Sequence, residues 1–167
     1  MVMTKKVLVQ LVDKTHRLCG PARTAKMLDD IMRLGFGHAR LGGMSICTDD
    51  MVIPDNKQKI IKAAVKNVAR VQKRYAQGSI TNEERYFDVI NIWSHASEAV
   101  AKDMQEGLKT DQSGLNPVYI MAHSGARGNM AQIRQLAGMR GLMQKPTKKL
   151  TGGVGEIIES PIMSNFG

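Results

Sequence analysis

"DNKQKIIKAAVKNVARVQKRYAQGSITNEERYFDVINIWSHASEAVAKDMQEGLK", residues 55–109, decides the fold. Ile61, Val68 and Tyr75 recur every seven residues, and Ala64 and Val71 fill the complementary positions, the apolar spacing of a coiled-coil seam. Gln77-Gly78-Ser79 interrupts the pattern. Thr81 followed by Glu84 has the form of a capping box, in which each side chain satisfies the other residue's backbone N–H, so it opens a second helix. The stripe of that helix is Tyr86, Val89/Ile90, Trp93, Ala96, Val100 and Met104. Each seam needs a partner, and the nearest is the other arm, so two long helices joined by a short turn pair antiparallel. At ~1.5 Å per residue each arm is roughly 30–40 Å long, and a hairpin of that length projects.

The arms differ in charge. Residues 55–78 carry seven Lys/Arg against Asp55, and residues 81–109 carry six acids against three bases. Pairing across a solvated hairpin accounts for much of this, at little energy per exposed pair. A partner-docking surface is the sharper reading, with the turn at Gln77, Gly78, Ser79, Ile80 and Thr81 the easiest place to dock.

Outward from the hairpin the chain stays mainly helical. Val7, Leu8, Leu11, Val12 and Leu18 fit one face of a helix from Lys5 to Leu18, which Gly20-Pro21 breaks; Pro21 suits a first helical position. A second helix follows with Ala25, Leu28, Ile31, Met32 and Leu34 inward, ending at Gly35 or Gly37. Residues 35–54 then form a packed connecting loop. After a loop at 107–116, Pro117 starts a short helix through Val118–Ala122, and a helical turn or two covers Met130–Leu136. From Gly138 the chain is mostly loop, ending in a strand at Glu156–Ile162. The expected divisions are a helical base and loop at 1–54, the hairpin at 55–109, and a glycine-rich basic segment at 110–167.

The whole chain has 167 residues and a net charge of +9, a balance that favours polyanionic partners. Cys19 and Cys47 lack CxxC spacing, so neither a disulfide framework nor a zinc site is expected, and a reducing cytosol is the default. No segment has the length of a membrane span. Between Gln112 and Gly155 there is no acid, yet Arg127, Arg134, Arg140, Lys145, Lys148 and Lys149 fall there. Glycines at 125, 128, 138 and 141 flank the arginines and let the backbone approach a ligand closely. A guanidinium fork suits phosphate oxygens, so this zone reads as a phosphate-facing surface, with a simple turn as the plainer alternative.

No self-contained active site emerges. The order of a P-loop is absent, and His16, His38, His95 and His123 are scattered without metal-ligand spacing. His123 beside Ser124 suggests a base and a nucleophile, but neighbouring residues rarely present their side chains to each other. Asp49-Asp50, without a third ligand, suits turns and caps better than a metal. An independent phosphotransfer enzyme would need an acid cluster for magnesium, and none appears.

"SGARGNMAQIRQLAGMRGLMQKP" at 124–146 resembles the signature segment of the bacterial DNA-directed RNA polymerase largest subunit, beta-prime. "DDMVIPDNK" at 49–57, "ERYFDVINIW" at 84–93 and "EIIESPIMSNF" at 156–166 are similar to the same family in the same order. The region around Arg17–Gly20 and "LGFGHARLGGMSI" at 34–46 also look like it. The resemblance implies an internal piece of a much longer subunit, without the aspartate triad for catalytic magnesium, the zinc-binding cysteines, the bridge helix or the trigger loop. Magnesium and zinc are then expected elsewhere in the full subunit, and the isolated piece is expected to be inactive. The resemblance also makes 55–109 the rim helices of the secondary channel, where channel-binding transcription factors dock. It makes 124–160 the approach to the F-loop. Arg127 falls on the family's arginine near the incoming nucleotide's triphosphate, and Gln132, Arg134, Gln135, Met139 and Arg140 on F-loop support. Implied partners are the rest of beta-prime, the other polymerase subunits, nucleoside triphosphates, and DNA and RNA in the assembled enzyme, in the cytoplasm.

Three features depart from the family's pattern. The first hairpin arm is strongly basic where family members often carry acids. "TKKLTGGVG" at 147–155 is longer than the shortest family versions, and Asn165-Phe166-Gly167 stands where the family continues into Arg-Glu-Gly-Leu. From the residues alone, the rival reading is a stand-alone coiled-coil module binding transcription factors or nucleic acid.

Overall fold

The computed structural model describes residues 3–145 and 157–165. Among them are five α-helices: α1 (Lys5–Gly42), α2 (Lys57–Ala76), α3 (Asn82–Thr110), α4 (Pro117–Ser124) and α5 (Met130–Ala137). Short 3₁₀ turns cover Thr48–Asp50 and Asp111–Gly114. The chain is mainly helical, as the sequence predicts. It divides into two compact units, Met1–Asp50 with Gln112–Asn129 and Met51–Asp111 with Met130–Gly167.

In the first unit, α1 is two helical runs separated at Gly20, which takes φ 78 and ψ 175. Only glycine reaches such a conformation without strain, and Pro21 lacks the N–H that a continuous helix would need. Thr24 is buried and its hydroxyl donates to the Gly20 carbonyl at 2.8 Å, tying the new run to the break. The expected end at Gly35 or Gly37 is wrong. The helix runs through both, because a glycine costs a helix only about 1 kcal/mol, and stops at Gly43. There φ is 56 and the N–H donates to Ala39 O at 3.2 Å. The expected loop at 35–54 shrinks accordingly. The face expected to point inward is also different: Leu28, Met32 and Leu34 are exposed, with Phe36 beside them.

The second unit is built on α2 and α3. Ile61, Ala64 and Val71 from α2 and Val89, Trp93, Ala96 and Val100 from α3 form one buried cluster, with Met139 added from the chain after α5. Val68 and Ile80 pack on it half-buried. Met104 and Leu108 extend the buried stripe of α3. Tyr75 departs from the seam: it is 44% exposed, and the Arg85 guanidinium lies 5.5 Å from its ring centroid. A ring so close to the turn has no facing layer to enter and stacks with a cation instead.

The capping box forms as read. Thr81 N–H donates to Glu84 Oε2 at 2.8 Å, and Glu84 N–H to Thr81 Oγ1 at 3.2 Å. The expected strand at Glu156–Ile162 does not form over its described part, and Glu156 lies outside the described residues. Isolated antiparallel bridges join Gly141 to Ile162 and Gln144 to Ile157. Three steps on one side face five on the other, so a bulge at Glu159-Ser160 interrupts the ladder, and Pro161 has no N–H to give it.

Candidate functional site

The cationic zone begins, in the first unit, with a buried polar clip that sets α4. Asn116 is fully buried. Its Oδ1 accepts from Tyr119 N–H at 3.0 Å, capping the helix, and its Nδ2 donates to the Asp50 carbonyl at 2.9 Å. The Asp50 carboxylate accepts from Cys47 N–H at 2.9 Å, from the Cys47 thiol at 3.3 Å and from Gln112 Nε2 at 3.1 Å. These bonds, the Cys47 amide foremost, hold its pKa below the ordinary aspartate value. Gln112 and Ser113 both take left-handed φ, 47 and 58, a strained turn that the clip stabilises. Asp50 thus serves a turn.

At its other end α4 closes on Gly125, with φ 79 and its N–H donating to Ala122 O at 3.2 Å. A side chain there would be strained by φ and would come 3.0 Å from Lys5 Cβ. Ala126 and Arg127 both donate their N–H to Met121 O, at 3.2 and 3.4 Å. Arg127 therefore sits in a loop pinned to the end of a helix, between two left-handed glycines, with its side chain exposed. Sequence reasoning missed Lys5 as a neighbour of this loop. His123 stacks on Tyr119 at 5.2 Å, while Ser124 Oγ donates to Met121 O at 3.1 Å, so the two adjacent residues do not form a base–nucleophile pair.

The other cations belong to the second unit. Ile133 and Ala137 anchor α5 in the core, leaving Gln132 and Gln135 exposed and Arg134 half-buried. Gly138 follows because any Cβ there would lie 2.8 Å from Arg134 O. Met139 is fully buried and Arg140 half-buried. A cleft of about 200 Å³ is lined by Trp93, Ser97, Glu98, Arg134, Arg140 and Leu142, among others. Among the described residues Arg134 Nε is buried without a hydrogen-bond partner. Lys145 is exposed; Lys148 and Lys149 lie outside the described residues.

The turn between α2 and α3 is also in the second unit. Gly78, at φ 71, and Ser79 donate their N–H groups to Tyr75 O and Arg74 O at 2.9 and 3.0 Å. Gln77, Gly78, Ser79 and Thr81 are exposed, and Ile80 turns toward the core. Among the described residues no three His, Cys, Asp or Glu side chains converge as metal ligands. No described helix is long and apolar enough to cross a membrane.

A helical chain with these features has recognisable relatives. The chain belongs to the RNA polymerase Rpb1, domain 4 family, which matches residues 80–167. The DNA-directed RNA polymerase subunit beta' of Endomicrobium trichonymphae is 44% identical over 172 residues, covering 98% of this chain and 11% of that protein. The subunit beta' of Chlorobium luteolum is 44% identical, covering 99% of this chain and 11% of its own length. That of Nitratiruptor sp. is 47% identical, covering 99% and 10%. The chain therefore spans about a tenth of the length of these relatives.

Proposed function

We infer that the chain acts as part of a DNA-directed RNA polymerase beta-prime subunit, forming the rim of the secondary channel and supporting the arriving nucleotide. The carrying observation is similarity across 98–99% of the chain to subunits of that name. In this reading α2 and α3 are an antiparallel, projecting hairpin whose turn, Gln77–Thr81, meets channel-binding factors. Arg127 supplies a fixed charge to the triphosphate. Its exposed side chain on a pinned, glycine-flanked loop suits that task, since a backbone held in advance loses little freedom on binding. Gln132, Arg134, Gln135, Met139 and Arg140 support the reaction centre from α5 and the turn after it.

Nucleotidyl transfer needs metal ions, which other parts of the subunit would hold; this stretch contributes positioning. The partners are the remainder of beta-prime, the other subunits, nucleoside triphosphates and the nucleic acids, in the cytoplasm. The test is an exchange: this chain replaces the matching stretch of a relative's beta-prime subunit, and RNA synthesis by the reassembled enzyme is measured. Synthesis supports the reading. An enzyme that assembles fully and makes no RNA counts against it.

A further inference from the structure

Lys57, the first residue of α2, is 6% exposed. Its ammonium sits at the positive end of a helix, and burial pushes its pKa down. Among the described residues no carboxylate forms an ion pair with it. Its partner is Asn165, 108 positions along the chain: Nζ donates to Asn165 Oδ1 at 2.9 Å. The other end of the same amide, Nδ2, donates to Leu136 O at 3.1 Å. Leu136 is in the last turn of α5, where carbonyls lack intrahelical partners. The amide is thereby fixed in one orientation, oxygen to the ammonium and nitrogen to the carbonyl. An aspartate would satisfy Lys57 but set a carboxylate oxygen against Leu136 O. A leucine would leave both groups unpaired.

We propose that Lys57 and Asn165 form a latch fixing the end of α5 to the base of α2, which makes Lys57 a positioning residue for Arg134 and Arg140. Arg134 lies two residues before the latched carbonyl and Arg140 four after it. Ser164, the neighbour of Asn165, accepts the Arg140 N–H at 3.4 Å, so one short stretch holds residues 136 and 140 together. Gln135 and Leu136 are themselves exposed, so within this last turn it is Ala137 that packs in the core, and the latch holds the solvent-facing side. The latch also brings positive charge to the negative end of α5, the favourable sign. The inference rests on the reading of 132–140 as support for polymerase chemistry.

The test uses the reassembled polymerase carrying Lys57→Met, Asn165→Leu, both together, or Asn165→Asp. Amide hydrogen exchange is followed over residues 133–141, and single-nucleotide addition is followed in parallel. Exchange should quicken in both single variants, and the double variant should be no worse than either, because one device is opened. Turnover should fall about tenfold with KM nearly unchanged, as expected for misplaced supporting groups. Asn165→Asp should fall between, since it keeps one of the two bonds. Unchanged exchange in the single variants overturns the latch, and faster exchange with normal turnover overturns the positioning role. Arg134→Ala and Arg140→Ala probe the underlying reading separately. Normal turnover in both would refute it whatever the latch variants do.

Discussion

Arg85 forks onto Glu159 across 74 positions of chain, its two terminal nitrogens 2.5 and 2.8 Å from the two carboxylate oxygens. Glu159 lies between the two isolated bridges, Gln144 to Ile157 and Gly141 to Ile162. Tyr86, the next residue, donates its hydroxyl to Ile157 O at 3.0 Å and accepts the Ile157 N–H at 3.2 Å. Two consecutive residues at the start of α3 thus hold the returning segment by its backbone and by its charge.

The pair gives a pH signature. Hydrogen bonding by Arg85 holds the Glu159 carboxyl below the ordinary glutamate value, and the same bond raises the Arg85 pKa, so only Glu159 titrates in the range tested. A depressed folded-state pKa contributes stability above the unfolded value, near 4.3, and that contribution is lost as pH falls through the folded value. Glu159→Gln should therefore lower the melting temperature at pH 7, by the equivalent of about 1 kcal/mol or less, because Glu159 is partly exposed. The gap to the unsubstituted chain should close in acid. A gap that stays constant from pH 7 to pH 3 would mean the pair contributes by shape and not by charge.

Trp93 sits at the centre of the α2–α3 cluster, 5% exposed. Trp93→Ala removes the largest side chain of that core and should destabilise the chain by roughly 3–5 kcal/mol. Chemical denaturation measures it directly. A loss under about 1 kcal/mol would mean the cavity collapses or the ring is not a keystone.

Much of the second unit is legible in sequence because its signals are local or periodic. The heptad spacing of Ile61, Val68 and Val71, the Thr81–Glu84 capping box and the stripe through Trp93 need no distant information. Tyr75 obeys the same period and still leaves the core, because what decides its place is Arg85 across the turn. Gly35 and Gly37 look like helix ends, yet a modest penalty per glycine yields to continuation until Gly43. Leu28 and Leu34 have helical spacing and remain exposed, since periodicity names a face and not what covers it. Of the candidate site, the glycine-flanked arginines are visible as composition. The Asp50–Asn116 clip and the Lys57–Asn165 bond join residues 66 and 108 positions apart, and no local pattern encodes them.

The basic arm offers a test of the docking role that spares the fold. Arg70, Lys73 and Arg74 are all exposed. Arg74 also favours the ionised form of Glu84 in the capping box, so Arg70→Glu with Lys73→Glu is the cleaner change. In a reassembled polymerase this pair should weaken binding of channel factors severalfold, more at low salt than at high, while basal RNA synthesis is unaffected. Equal loss of binding and synthesis would point to misfolding or to another role for the arm.

Arg127 carries the sharpest prediction. The loop that holds it is fixed by two N–H groups on Met121 O and by left-handed Gly125 and Gly128, and the guanidinium is exposed. Arg127→Ala should leave the chain's melting temperature almost unchanged, since no packing is lost. In the reassembled enzyme it should slow nucleotide addition, raise the apparent nucleotide KM, or do both, by an amount equivalent to ~1–3 kcal/mol for a charge-assisted contact. Arg127→Lys should recover part of the loss, because it restores charge without the planar fork. Gly125→Ala should mimic Arg127→Ala in kinetics but also lower stability, because φ 79 strains any side chain and the 3.0 Å approach to Lys5 Cβ is tight. Pre-steady-state addition of a single nucleotide, at several concentrations, separates the KM effect from the rate effect. Normal nucleotide kinetics in Arg127→Ala would remove the arginine from the reaction and leave the loop as a simple turn.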